Sequence, residues 1–166
     1  MGGSSGGGLS FNLLALESSA KQKLSDATSS PSVTHVFISF AAEDMGEVNL
    51  LRGQARNEYS DLEFDDYSVK KAYNSEDADY IKRKIREKID KSSVTVVYLS
   101  PSAANSEWVN WEIAESIKRG KGVVGVYSGS SAPSVVPSAF GANGCKALPW
   151  KHDELVRAIA EAKVKR

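Results

Sequence analysis

The sequence predicts a three-layer α/β domain, a five-stranded parallel sheet with helices on both faces. Three observations carry this. Short β-rich runs recur at residues 33–40, 62–64, 94–99, 122–127 and 146–148. Segments with apolar residues at helical spacing separate most of them. The central runs are apolar almost throughout, as in strands buried on both faces, whereas half-exposed strands alternate. Strands alternating with helices demand right-handed crossovers, and the order 2-1-3-4-5 is the one predicted, a flavodoxin-like arrangement.

Residues 1–10, rich in Gly and Ser, read as a flexible leader. Residues 11–30 read as an N-terminal helix and linker, with Leu13, Leu14, Leu16 and Leu24 among Glu17, Lys21 and Lys23. The folded domain is placed at 31–166. Its first strand is Val33-Thr34-His35-Val36-Phe37-Ile38-Ser39-Phe40. Met45, Val48, Leu51 and Ala55 then recur at helical spacing, weakened by Gly46 and Gly53. Leu62-Glu63-Phe64 is a short second strand, followed by Asp65-Asp66 and an irregular stretch to Asn74.

Ala78, Ile81, Ile85 and Ile89 mark the clearest amphipathic helix, with Arg83, Glu87 and Lys91 spaced for pairing four apart. Val94 to Leu99 is the third strand. Val109, Ile113 and Ile117 give the next helix its buried stripe, and Gly120 ends it. The fourth strand is Gly122 to Tyr127. Residues 128–144 form an unusually long connection, read as a lid, a degenerate helix or a mobile loop. Lys146-Ala147-Leu148 is a candidate edge strand, and Leu155, Val156, Ile159 and Ala162 form a closing helix.

Composition narrows the function. With 21 basic and 21 acidic residues the chain has no net field to gather nucleic acid or an anionic bilayer. The basic run from Lys82 to Lys91 is the wet face of an amphipathic helix. No segment reaches the roughly 18 apolar residues of a membrane span. Cys145 is the only cysteine, which excludes an intramolecular disulfide and suits a reducing, cytoplasmic setting. His35 and His152 stand apart with no thiol cluster near them, so no metal site is expected.

In the predicted sheet a ligand crevice opens where strands one and three diverge, beyond their carboxyl ends. Segments 39–44, 65–74 and 100–112 border it. Strand three ends Leu99-Ser100-Pro101, which lacks the aspartate of a phosphoacceptor domain. Phe40-Ala41-Ala42-Glu43-Asp44 offers carboxylates where a flavin phosphate would need hydroxyls and glycine. Walker, nucleophile-elbow and dinucleotide glycine motifs are absent.

What remains is Ser106-Glu107-Trp108-Val109-Asn110-Trp111-Glu112-Ile113. Trp108 and Glu112 are four apart and so lie about 40° apart on one helix face. A carboxylate beside an indole at a crevice rim suits a sugar cation, whose growing positive charge the carboxylate stabilises. The alternative is a solvated helix carboxylate favoured by the helix dipole.

Residues 33–163 resemble a Toll/interleukin-1 receptor (TIR) domain, and among these the short bacterial TIR-like proteins of Thoeris antiphage systems. Val36-Phe37-Ile38-Ser39-Phe40 matches the first-strand signature and Phe64-Asp65 the end of the second strand. Ile81, Ile85 and Ile89 with Ser92-Ser93 match the second helix and its exit, and Trp108-x-x-x-Glu112 matches the family box. Asn49-Leu50-Leu51-Arg52 resembles a first-helix feature of the Thoeris-type proteins.

The resemblance implies an NAD+ nucleosidase or cyclase with Glu112 as the catalytic residue. NAD+ would be the substrate, with no cofactor and no metal. Ser39, Phe40, Asn49, Asp65, Asp66 and Trp108 are the candidate substrate contacts, with Phe40 against nicotinamide and the aspartates on ribose hydroxyls. Phe40, at the end of a buried strand, and Trp108 are also of the kind that usually packs in the core. Paired acids after a strand are also common turn formers. Implied too are self-association through loop surfaces and a downstream effector that reads a nucleotide messenger. The rivals are a non-enzymatic interaction module and a nucleoside deoxyribosyltransferase-like enzyme, which shares the fold type and a glutamate nucleophile.

Overall fold

Five strands form one sheet in the order β2-β1-β3-β4-β5, with every neighbouring pair parallel. They are β1 (Thr34–Ser39), β2 (Leu62–Asp65), β3 (Val94–Tyr98), β4 (Gly122–Tyr127) and β5 (Lys146–Pro149). The expected order and direction hold throughout. This computed structural model describes residues 33–58, 62–66 and 73–164, all within the compact unit Val33–Arg166. The leader and N-terminal helix expected over residues 1–30 lie outside the described residues, as does most of the irregular stretch after Asp66.

Side-chain alternation along β1 sorts the core into two layers. Val36, Ile38 and Phe40 pack with Val94, Val96, Tyr98, Val124 and Val126 beneath α1 (Met45–Glu58) and α6 (His152–Val164). Phe37 turns to the other face and meets Ile81, Ile85 and Ile89 of α2 (Ala78–Lys91). Val97 and Leu99 pack on that same face against Val109 and Ile113 of α4 (Glu107–Lys118). Helices therefore cover both faces, as the continuous apolar strands require. On α2, Glu87 pairs with Lys84 at 3.3 Å, three residues away rather than four.

Two hydroxyl caps start helices at the carboxyl edge, and a glycine ends the second of them just before β4. Ser100 Oγ accepts from the Ala103 N–H at 3.0 Å and starts the one-turn α3 (Pro101–Ala104), with Pro101 at its first position. Ser106 Oγ accepts from the Val109 N–H at 3.2 Å and starts α4. Gly120, at φ 73°, closes α4: its N–H reaches Ile117 O, and the Lys121 N–H reaches Ser116 O. That pair of bonds is a Schellman motif, whose left-handed residue is usually glycine.

The long connection 128–144 resolves into the degenerate-helix alternative. It holds α5 (Ser138–Ala142), five residues long, with Phe140 only 3 % exposed. A Cβ on Gly125 would lie 2.4 Å from Phe140 Cζ, so the bare backbone of β4 is what admits the ring. Asn110 Oδ1 accepts from Ser138 Oγ and from the Ala139 N–H, both at 3.0 Å, tying α5 to α4.

Candidate active site

α4 crosses the sheet face beside the carboxyl end of β1 and carries Glu112 inward. Neither Glu112 nor Ser39 has any exposed surface, and Ser39 Oγ donates to Glu112 Oε2 at 2.5 Å. Glu112 is thus enclosed, not placed at a crevice rim as its position a step off the apolar stripe suggested. A buried carboxylate is costly without hydrogen bonds, and the hydroxyl at the end of β1 supplies one. Further along α4, Ser116 Oγ donates to the Glu112 main-chain O at 2.7 Å and lies 2.8 Å from Thr95 Oγ1 of β3. Thr95 and Ser116 have no exposed surface either.

Trp108 packs as core. It is 8 % exposed, lies among Phe37 and the α2 isoleucines, and meets Tyr73 edge-on at 5.0 Å and Trp111 at 6.0 Å. Tyr73 and Trp111 pack against its ring, the core role a tryptophan takes more often than that of a substrate wall, though the two roles are compatible. Trp111 in turn packs against cations, with Arg86 at 5.3 Å and Lys82 at 5.6 Å from its ring centre.

Phe40 follows Ser39 in the chain and so points to the opposite face, into the layer beneath α1 and α6, 3 % exposed. It does not share a site with Ser39 and Glu112. Asn49 is exposed on α1, also on that opposite side. The adjacent acids divide in the same way. Asp65 bonds Lys88 Nζ of α2 at 2.6 Å, while Asp66 is held by Arg52 of α1, whose Nη2 also reaches Phe64 O at 3.0 Å. Both carboxylates are engaged by protein cations at the end of β2. Of the six candidate substrate contacts, the fold brings Ser39 onto Glu112 and keeps Trp108 one helical turn away.

Sequence reasoning missed Thr95 and Ser116. The signal was present: Thr95 interrupts an otherwise apolar strand, and Ser116 lies four residues after Glu112 on the same helix face. It also missed a second polar group at the same sheet edge. Ser100 Oγ donates to Asp44, and Ser128 Oγ accepts from Tyr98 OH at 3.3 Å while donating to Glu47 Oε1 at 2.9 Å. Burial pushes the Tyr98 phenol up to about 12, with Glu47 adding to the rise and Ser128 opposing it. Burial also raises Asp44; the Ser100 bond opposes this, and Glu47 and Glu43 reinforce it.

Behind Glu112, Glu115 joins α4 to α2. It accepts from Arg86 Nε at 2.9 Å and Arg119 Nε at 3.0 Å, and Arg119 also holds Asp90. Burial alone would raise the Glu115 carboxyl, but Arg119 and Arg86 outweigh it and hold the group below its ordinary value. Among the described residues no cluster of three or more His, Cys, Asp or Glu could hold a metal ion. Nor is any described helix long and apolar enough to cross a membrane.

A parallel sheet in the order 2-1-3-4-5, with α4 and its glutamate over the first and third strands, is a TIR-type fold. The family model of the Thoeris protein ThsB, TIR-like domain, matches residues 37–133, more than half of the chain. The chain belongs to this family. No curated protein sequence matches it.

Among solved structures, the TIR domain of the Toll-related receptor TRR-2 from Hydra magnipapillata is similar at 17 % identity and TM-score 0.49. That match covers 76 % of this chain and 91 % of the receptor domain. The TIR domains of the activated Roq1 resistosome are similar at 23 % identity and TM-score 0.43, over 80 % and 82 % of the two chains. A 3-dehydroquinate dehydratase-like protein from Bifidobacterium longum is similar at 14 % identity and TM-score 0.43, over 78 % and 95 %.

Proposed function

We propose that the chain is a cytoplasmic TIR-domain NAD+ nucleosidase or cyclase serving antiphage defence. The observation that carries this is Glu112, the glutamate of the Trp108-x-x-x-Glu112 box in a member of the Thoeris TIR-like family, held at the carboxyl end of β1. In the reaction, the bond between ribose C1′ and the nicotinamide nitrogen breaks, and its electron pair goes to nicotinamide. The cationic ring becomes a neutral leaving group, so no strong general acid is needed. Positive charge passes to C1′ and the ring oxygen, where the Glu112 carboxylate stabilises it. Water then attacks C1′ and loses a proton to give ADP-ribose, or a hydroxyl of the same nucleotide attacks to give a cyclic isomer.

Because Glu112 is enclosed, the substrate reaches it only when the packing around it opens. Self-association supplies that opening in this reading, so turnover rises steeply with protein concentration. The product is a nucleotide messenger read by a downstream effector.

The same enclosure favours one rival, a non-enzymatic interaction module in which Glu112 only ties α4 to β1. Incubating concentrated protein with NAD+ and resolving the products by mass separates the two. Release of nicotinamide with ADP-ribose or its cyclic isomer supports the enzyme. Intact NAD+ at high protein concentration, with the cognate trigger present, supports the module.

A further inference from the structure

We propose that Ser39 is a positioning residue for Glu112, part of a two-point hold that fixes the carboxylate against the sheet, rather than a contact to substrate. β1 is apolar from Val36 to Ile38 and ends on a hydroxyl that alternation turns toward α4. A serine hydroxyl has one hydrogen to donate, and that of Ser39 lies in the 2.5 Å bond to Glu112 Oε2. With no surface exposed, Ser39 offers nothing to a ligand in this state.

The other hold acts on the main chain. Ser116 spends its single hydrogen on Glu112 O at 2.7 Å, so Thr95 must be the donor in the 2.8 Å contact between the two hydroxyls. The direction runs from Thr95 on β3 to Ser116 and then to the backbone of Glu112. β1 therefore holds the carboxylate end of the residue and β3 holds its backbone end. These two strands are direct neighbours, with Phe37 opposite Thr95 and Ser39 opposite Val97. A charge that must meet a developing cation has to be oriented beforehand, and misplacement by about 1 Å can lower a rate by about 100-fold. This inference rests on the reading that Glu112 is the reacting carboxylate.

The test uses the full chain as wild type, Ser39→Ala, Glu112→Gln, Glu112→Ala and the two double variants, each followed by urea unfolding and by NAD+ turnover. Ser39→Ala is expected to lower kcat by about 10- to 100-fold with KM changed less than about twofold. It should slow Glu112→Gln no further. In unfolding, the effect of Ser39→Ala on the equilibrium constant should be at least about tenfold smaller in the Glu112→Ala background, where the acceptor is gone, than in wild type. Glu112→Gln keeps an acceptor and should leave most of that effect. Ser39→Cys keeps a side chain of similar shape, slightly larger, and weakens the donor, so it gives the same pattern at smaller size even where the alanine variant does not fold.

Independent, additive effects on unfolding overturn the inference. A coupled pair whose loss leaves kcat unchanged also overturns it, because the bond is then structural alone. Coupling in a wild-type protein that leaves NAD+ intact upholds the hold on Glu112 while contradicting the enzymatic reading.

Discussion

Ser39 and Glu112, 73 residues apart in sequence, meet through a 2.5 Å hydrogen bond with neither residue exposed to solvent. Glu112 is therefore a packing element as well as a candidate reacting group. Replacing it by alanine leaves a cavity and a buried hydroxyl that has lost its acceptor, and is expected to cost about 2–4 kcal/mol. Glutamine keeps the volume and an acceptor for Ser39, and is expected to cost about 1 kcal/mol or less. Urea midpoints measure both; an alanine variant as stable as wild type contradicts the enclosure.

Glu115 predicts an acid limb of stability. Its folded carboxyl lies below the ordinary value of 4.5, held there against burial by Arg119 and Arg86. The unfolded chain then binds the proton more tightly, so the contribution is complete above about 4.5 and is lost as pH falls through the folded value. Glu115→Gln removes it. With both arginines partly exposed, at 29 % and 39 % of their side chains, the loss at neutral pH is expected to be about 1–2 kcal/mol. The difference in Tm between wild type and variant should shrink on acidification below pH 4.5, and a constant difference contradicts the assignment.

Gly125 and Phe140 predict an overpacking defect. An alanine methyl at 125 would sit 2.4 Å from Phe140 Cζ and 2.8 Å from Leu99 Cδ1. The ring cannot retreat freely, since Asn110 holds the start of α5. Gly125→Ala is expected to cost about 1–3 kcal/mol in denaturant unfolding, and Phe140→Leu in that background should restore part of it. An unchanged midpoint for Gly125→Ala contradicts the close approach.

The fold was legible because its signals are local or periodic. Val36 to Phe40 and Val94 to Leu99 are too apolar to be exposed on either face, and Ile81, Ile85 and Ile89 can align only on a helix. α5 was less legible because five residues carry too little periodicity; what holds Ser138–Ala142 is Gly125 making room and Asn110 capping from another helix.

Of the candidate site residues, the structure brings Glu112 and Ser39 into contact and distributes the others in ways their positions along the chain do not reveal. Phe40 borders the crevice along the chain and Asn49 belongs to the first-helix feature, yet the alternation of β1 and the placement of α1 put both on the far face. Asp65 and Asp66 are adjacent in sequence but are drawn to different helices by Lys88 and Arg52, cations whose reach no local pattern reveals. Trp108 and Glu112 are neighbours on α4 as their spacing predicts, but the depth at which α4 buries them is set by its packing on β1, β3 and α2.

The most direct test of the central claim compares wild type and Glu112→Gln, both concentrated and supplied with the cognate trigger, for release of nicotinamide from NAD+. The substitution keeps size and helix propensity and removes only the charge offered to the sugar cation. The wild type is predicted to cleave NAD+, and the variant to do so about 10²- to 10³-fold more slowly while remaining folded. Cleavage by Glu112→Gln at the wild-type rate, or a wild type that leaves NAD+ intact under these conditions, contradicts the account.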